Sequence, residues 1–242
     1  MARLFDDAAS EYLERTEAVL TGTPITVACW FRSDAVVDQF LVGLHDTSAT
    51  PYIALNAWSD GVLYATVRDA ATFSEAATST SWAVNTWHHG CGIFASATSR
   101  SVYLDGGGLG TNATSRTATG IDTTCIGVRA NSGTHSEYMS GRIAEAAIWN
   151  VALTGAEVAI LAAGYSPLLV RPQSLVAYWP LIQTDNDRVG GYNLTAYNTP
   201  TIAAHPRVLY PAPPMAMSVP VTAPAVRIPR YGFTNFQVPG TV

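Results

Sequence analysis

Between residues 5 and 164 the chain alternates short apolar runs with clusters of turn residues. "ITVACWFRS" places Ile25, Val27 and Cys29 on one side of an extended segment before Trp30 and Phe31. "QFLVGLHD", "YIALNAW", "GVLYATVRD", "TWHHGCGIF", "RSVYLDGG", "TTCIGVRA" and "GRIAEAAIW" follow at roughly ten-residue intervals, the cadence of an antiparallel sandwich or jelly roll. The expectation is an all-β fold of two antiparallel sheets. One segment breaks the period-2 pattern. In "LTGAEVAILAAG", Thr154 can cap a helix, Glu157 stands where a capping box needs an acid, and Gly164 is the stop, so a single short helix is predicted on the side of the sandwich.

Further on, "LVAYWPLIQTDNDRVGGYNLTAYNTPT" (residues 175–201) reads as strand, polar loop and strand. The pattern then changes. Nine of the fourteen prolines fall in residues 200–242, which excludes a helix or a central strand there. This stretch has no acidic residue but carries Arg207, Arg227 and Arg230 in a chain of net charge −5. It also keeps large apolar groups, Tyr210, Tyr231, Phe233 and Phe236 among them, which ordinary disordered tails lack. The sequence thus divides into a body, 1–199, and an extended arm, 200–242, whose polyproline reach would be on the order of 100 Å. Such an arm is expected to lie on a neighbouring subunit and to mediate assembly through the residues just named; the alternative is that it wraps its own sandwich.

Composition narrows the classes. Charged residues are 13% of the chain and apolar ones 48%, enough for a real core. The acidic balance argues against a nucleic-acid surface, and no segment has the length of a membrane span. "MARLFDDAASEYL" has charges where a signal peptide needs an apolar stretch, so folding in a cytoplasm is expected. Cys29, Cys91 and Cys125 form no CxxC pair and sit inside strand-like runs, where they read as small core residues.

"TGTPITVACWFRSD", "NTWHHGCGIFASATSRSVYLDGG", "TTCIGVRA" and above all "MSGRIAEAAIWNVALTGAEVAIL" resemble the successive motifs of a concanavalin A-like, laminin-G-like jelly roll often encoded in bacteriophage genomes. The resemblance covers residues 1 to about 205. It implies two face-to-face sheets with loops that hold calcium and a sugar in some members. In the usual order a segment like residues 175–201 comes first and "RLFDDAASEYL" follows. The order here looks circularly permuted, with the "YWPL" strand expected beside the strands around Phe5 and Tyr12.

Catalysis finds little support. Glucanases on this fold use a Glu-x-Asp-x-x-Glu strand or a close variant, which does not occur here. Only Glu137 and Glu145 fall in a plausible hairpin, and Glu145 stands where the family has a non-catalytic acid. His88 and His89 are adjacent in a strand and must point to opposite faces, so they cannot share a metal. The resemblance assigns calcium, if any is bound, to Asp187 in "QTDNDRVGG"; the other reading of Asp187 is a turn residue making Asx-type bonds. For a sugar, Trp58 can stack on a pyranose while Asn56 and Asp60 bond its hydroxyls; alternatively, a strand-end Trp closes a core.

The expected function is therefore a non-enzymatic phage virion protein, a capsid decoration or surface fibre with a lectin-like body held by its arm. Its expected partners are a major capsid protein or a tail protein, and further copies of itself, as a homo-oligomer such as a trimer. The alternative is a carbohydrate-binding module of a tail or adsorption apparatus that recognises a cell-surface glycan.

Overall fold

The computed structural model describes residues Met1–Pro211. Seventeen strands occur among them: β1 (Ala2–Phe5), β2 (Tyr12–Arg15), β3 (Ile25–Ser33), β4 (Gln39–His45), β5 (Tyr52–Ala57), β6 (Val62–Arg68), β7 (Phe73–Ser81), β8 (His88–Ser96), β9 (Ser99–Leu104), β10 (Gly107–Asn112), β11 (Thr123–Ile126), β12 (Arg129–Asn131), β13 (Thr134–Ser136), β14 (Gly141–Trp149), β15 (Leu175–Trp179), β16 (Thr195–Tyr197) and β17 (Thr201–Ala203). They form an eight-stranded sheet in the order β10-β9-β8-β3-β14-β1-β17, with β15 also on β14, and a seven-stranded sheet in the order β16-β2-β11-β4-β5-β6-β7. Every pairing is antiparallel.

Alternation explains the packing. Val27, Cys29 and Phe31 of β3 and Ile143, Ala146 and Ile148 of β14 meet Ile53, Leu55, Leu63, Ala65 and Val67 of the other sheet in one continuous core. The eight-stranded sheet is buried on its other face too. There Trp149, Tyr178, Cys91 and Ile93 receive Val158 and Leu161 of helix α1 (Gly155–Ala162). The helix starts where the sequence says: the Thr154 side chain accepts from the Glu157 backbone N–H, and the Glu157 carboxylate accepts from the Thr154 N–H at 2.7 Å. All three cysteines are buried and free.

The sheet edges carry two strands that the apolar pattern does not reveal. β7 ("FSEAATSTS") ends one sheet and β10 ("GGLGTN") ends the other, and the two lie against each other. Gly110 is required at that contact, because a Cβ there would stand 1.7 Å from the Ala77 carbonyl oxygen.

The "YWPL" strand is in the main sheet, but its neighbour is β14 and not the strands around Phe5 and Tyr12, as expected. Trp179 faces Ala146, and three residues further along the same edge of β14 Arg3 faces Ile143. β15 and β1 therefore run in line with the same polarity, one after the other, as a continuous chain in the opposite order would. Glu145 sits at the bulge where the partner changes, with a left-handed φ of 55°. The flanking places expected for "YWPL" are taken by β17 beside β1 and β16 beside β2. The body thus extends beyond residue 199. Leu209 adds a bridge to Tyr165 and donates its N–H to the Gly164 carbonyl at 2.7 Å, so the described start of the Pro-rich stretch lies along the sandwich.

Candidate functional site

The outer face of the seven-stranded sheet is roofed by the β12–β13 hairpin. Its two-residue turn, Ser132-Gly133, has φ of 48° and 75°, the type I′ geometry that matches strand twist. The hairpin spans several strands. His135 stacks on Tyr12 with centroids 4.5 Å apart, and the Arg129 guanidinium lies 5.3 Å above the Tyr52 ring and 6.0 Å from that of Phe40. Arg129 is fixed by Glu137, with nitrogen to oxygen distances of 2.9 and 3.2 Å.

The residues expected to hold a sugar lie on this face and do not form an open groove. Asn56 is fully buried, and Thr66 Oγ1 lies 2.9 Å from both Asn56 Oδ1 and Glu75 Oε1, to either of which it can donate. Trp58 is half-buried, edge-on to Phe40 at 5.6 Å, and donates its indole N–H to Glu75 at 3.1 Å. Asp60 accepts from the Val62 N–H and the Tyr64 hydroxyl, which turns it to its own hairpin. Trp58 closes a satellite cluster with Phe40 and Tyr52, outside the core between the sheets.

Asp187 is likewise spoken for. Its carboxylate accepts four backbone N–H groups: those of Tyr178 and Val189 on one oxygen, those of Gly190 and Tyr192 on the other, all at 2.8 to 2.9 Å. Four donors use the lone pairs a hard cation would need. Asp187 is therefore the organiser of its loop, and among the described residues no group of three or more His, Cys, Asp or Glu could hold a metal. Asp187→Ala is expected to cost about 2–3 kcal/mol through the loss of charge-assisted bonds, read by urea denaturation. A chelator is expected to leave the melting temperature of the wild-type chain unchanged.

Glu137, Glu145, His88 and His89, the other groups weighed for chemistry, have structural partners. Glu137 serves the hairpin, whereas Glu145 is buried on the opposite sheet, so the two do not share a cleft. His88 and His89 point to opposite faces: His88 bonds Asp105 through Nδ1 at 2.7 Å, and His89 packs edge-on to Trp30. Of the arm residues, Tyr210 donates its hydroxyl to Glu145 at 2.6 Å and Arg207 is exposed beside Gly164. Arg227, Arg230, Tyr231, Phe233 and Phe236 lie outside the described residues.

What the structure does assemble is a trough of two adjoining hollows, lined by several polar side chains, where β2, β11 and the hairpin meet. One part, about 330 Å³, is lined by Glu14, Thr47, Asp122, Thr123, Asn131 and His135; the other, about 210 Å³, by Asn193, Thr195 and Tyr197, with Glu14 and Thr16 common to both. Alternation along β2 turns Tyr12 and Glu14 outward while Leu13 enters the core. Glu14 accepts from His135 Nε2 at 2.7 Å, which makes that nitrogen the protonated one, and Asp122 accepts from the Thr47 N–H and hydroxyl. Tyr197, 36% exposed, lies flat on Tyr12 at 4.7 Å and continues the stack begun by His135. Burial, and then the Glu14 charge, push the Tyr12 phenol up to about 12, so it remains a neutral donor. Hydroxyls, carboxylates, an amide and an aromatic rim are the groups that bind a polyol. The sequence reading missed Glu14, Asp122, Asn131 and His135. The Ser-Gly turn inside "RANSGTHS" was the available signal for the hairpin that gathers them.

Comparison with known proteins agrees with this architecture. A putative carbohydrate-binding protein from Bacteroides ovatus superposes with a TM-score of 0.58 at 16% identity, over 83% of this chain and 58% of that one, so the chain spans little more than half of that relative. A sialidase CBM40 from Ruminococcus gnavus, solved with α2,3-sialyllactose, gives 0.53 at 11% identity over 64% of this chain and 98% of that one. Domain 4 of a GH43 arabinanase from Geobacillus stearothermophilus, solved with arabinotriose, gives 0.52 at 17% identity over 62% and 72%. A search of curated proteins found no match. The family model described as the concanavalin A-like lectin/glucanases superfamily matches residues 7–159, well over half of the sequence, and the chain belongs to that superfamily.

Proposed function

We propose that the chain is a non-catalytic carbohydrate-binding module whose ligand lies in the trough around Glu14. The observation that carries this reading is the trough itself: on a lectin-type sandwich, hydroxyl, amide and carboxylate groups converge beside the exposed Tyr197 ring. His135 holds Glu14 through Oε2, and among the described residues Oε1 has no hydrogen-bond partner, which leaves it to accept a sugar hydroxyl. A glycan array followed by calorimetry tests it. Single-site binding is expected to be weak, with Kd on the order of a millimolar. Tyr197→Ala or Asn131→Ala should weaken binding about tenfold, roughly the 1.4 kcal/mol lost with one stacking or hydrogen-bonding partner. Unchanged affinity in both variants would remove the site from the trough.

A second reading concerns where the module works. We infer a place on the surface of a phage particle, as a capsid decoration or surface fibre contacting a major capsid or tail protein, with copies assembled as a homo-oligomer such as a trimer. The supporting observation is compositional: a basic, proline-rich stretch that keeps tyrosines and phenylalanines has the makeup of a segment that docks on another protein. Multiple copies would turn weak sugar contacts into firm adhesion. Mass spectrometry of purified particles decides it. Hundreds of copies per particle support a decoration, a handful a tail protein, and none ends the virion reading.

A further inference from the structure

On the opposite sheet a second cleft, about 430 Å³, opens beside β15, within the range of sites that take small ligands. Leu168, Pro180 and Ile182 give it apolar walls, while Tyr178, Tyr210 and Arg188 supply its polar groups. Those polar groups have opposite hydrogen-bonding sense. Tyr178 and Tyr210 each have one hydroxyl proton, and both donate it to the buried Glu145, at 2.6 Å each. Toward anything else they can only accept. Tyr178 is fully buried and already receives the Ser166 hydroxyl at 3.4 Å, so the oxygen offered to a ligand is that of Tyr210, a residue of the cleft lining that is 42% exposed.

Arg188 is the donor. Its backbone N–H is fixed to the Tyr178 carbonyl at 2.9 Å, its side chain is exposed, and it has no acidic partner among the described residues. Glu145 does not serve as that partner, since its oxygens are met by Tyr178, Tyr210 and His205 Nε2. A planar guanidinium beside an apolar wall suits a carboxylate held bidentately and attached to an apolar group.

We propose that this cleft binds the free C-terminal carboxylate of a peptide whose last residue is apolar. The carboxylate pairs with Arg188, the last side chain packs against Leu168, Pro180 and Ile182, and a peptide N–H donates to the Tyr210 oxygen. Capture of a chain-terminal carboxylate is a recurring mode of peptide recognition. The site is independent of the trough, because it lies on the other sheet.

The test titrates the full chain, labelled with nitrogen-15, with N-acetyl-alanyl-leucine and separately with its C-terminal amide. The acid is expected to bind with Kd on the order of a millimolar and to move the amide signals of Leu168, Ile182 and Arg188. The neutral amide should bind about tenfold more weakly. In Arg188→Gln, an exposed substitution expected to leave the melting temperature unchanged, the acid should fall to the level of the amide. Equal binding of acid and amide, acid binding that survives Arg188→Gln, or no shifts at these residues up to about ten times the expected Kd would each overturn the proposal.

Discussion

Trp179→Ala is expected to lower the unfolding free energy by about 3–5 kcal/mol, the usual cost of deleting a large buried aromatic. Trp179 is fully buried in the core between the sheets, faces Ala146 of β14, and donates its indole N–H to the Tyr192 carbonyl at 2.7 Å. Removing the ring leaves a cavity where β15 hands over to β1 along one edge, and orphans the Tyr192 carbonyl. Trp179→Phe keeps much of the apolar volume and loses the bond, so about 1–2 kcal/mol is expected. Urea denaturation at constant m-value reads both. A loss below about 1 kcal/mol for the alanine variant would be out of line with a core position and would mean that the 175–179 strand is dispensable to the sandwich.

Acidification is expected to cost about 2 kcal/mol per histidine at pH 5 from each of two buried histidines, on the scale of 1.36 kcal/mol per pH unit. His45 is completely buried and rests over Gly43, where a Cβ would stand 2.3 Å from its Nε2. Burial, then the nearby Arg129 charge, lower its pKa from 6.5 to about 3. Burial lowers that of His89 to about 4, with Asp105 opposing. The folded state therefore refuses a proton that the unfolded chain takes up near pH 6.5. The stability these neutral rings contribute is whole above that pH, falls as pH drops below it, and is lost by the time the folded pKa values are passed. Thermal melting between pH 7.5 and 5 measures the slope. His45→Leu keeps an apolar volume over Gly43 and should remove about half of it. A variant as acid-sensitive as the wild type would clear His45 of the effect.

How far the sequence carried depended on where each signal was stored. β3, β14 and the capped helix were legible because apolar periodicity and capping residues are local, and their boundaries in "ITVACWFRS", "GRIAEAAIW" and Thr154 to Glu157 agree with the fold. β7 and β10 were not, since edge strands of Ser, Thr, Ala and Gly bury little and show no apolar alternation. The trough was hidden for a different reason. Glu14, Asp122 and His135 are far apart in the chain and meet only when β2, β11 and the hairpin come together. Trp58 and Asn56 had the right chemistry for a sugar, but whether a side chain faces solvent or Phe40 is decided by the neighbouring strands. Asp187 shows the same limit: its residue type suits calcium, and only the loop geometry reveals four amides already on it.

The path of residues 201–210 along the body fixes how a pull would be transmitted. Tension applied at Pro211 meets the Tyr210 bond to Glu145 first, then the Leu209 bonds to Gly164 and Ser166, then His205, then the pairing of β17 with β1, and behind it that of β16 with β2. These fastenings stand in series, so they fail one at a time and not together. Each release lengthens the leash before the next is strained. Because the deepest fastenings are to β1 and β2, a load entering near residue 211 ends on the chain's first two strands, and the two ends of the sandwich form one mechanical joint.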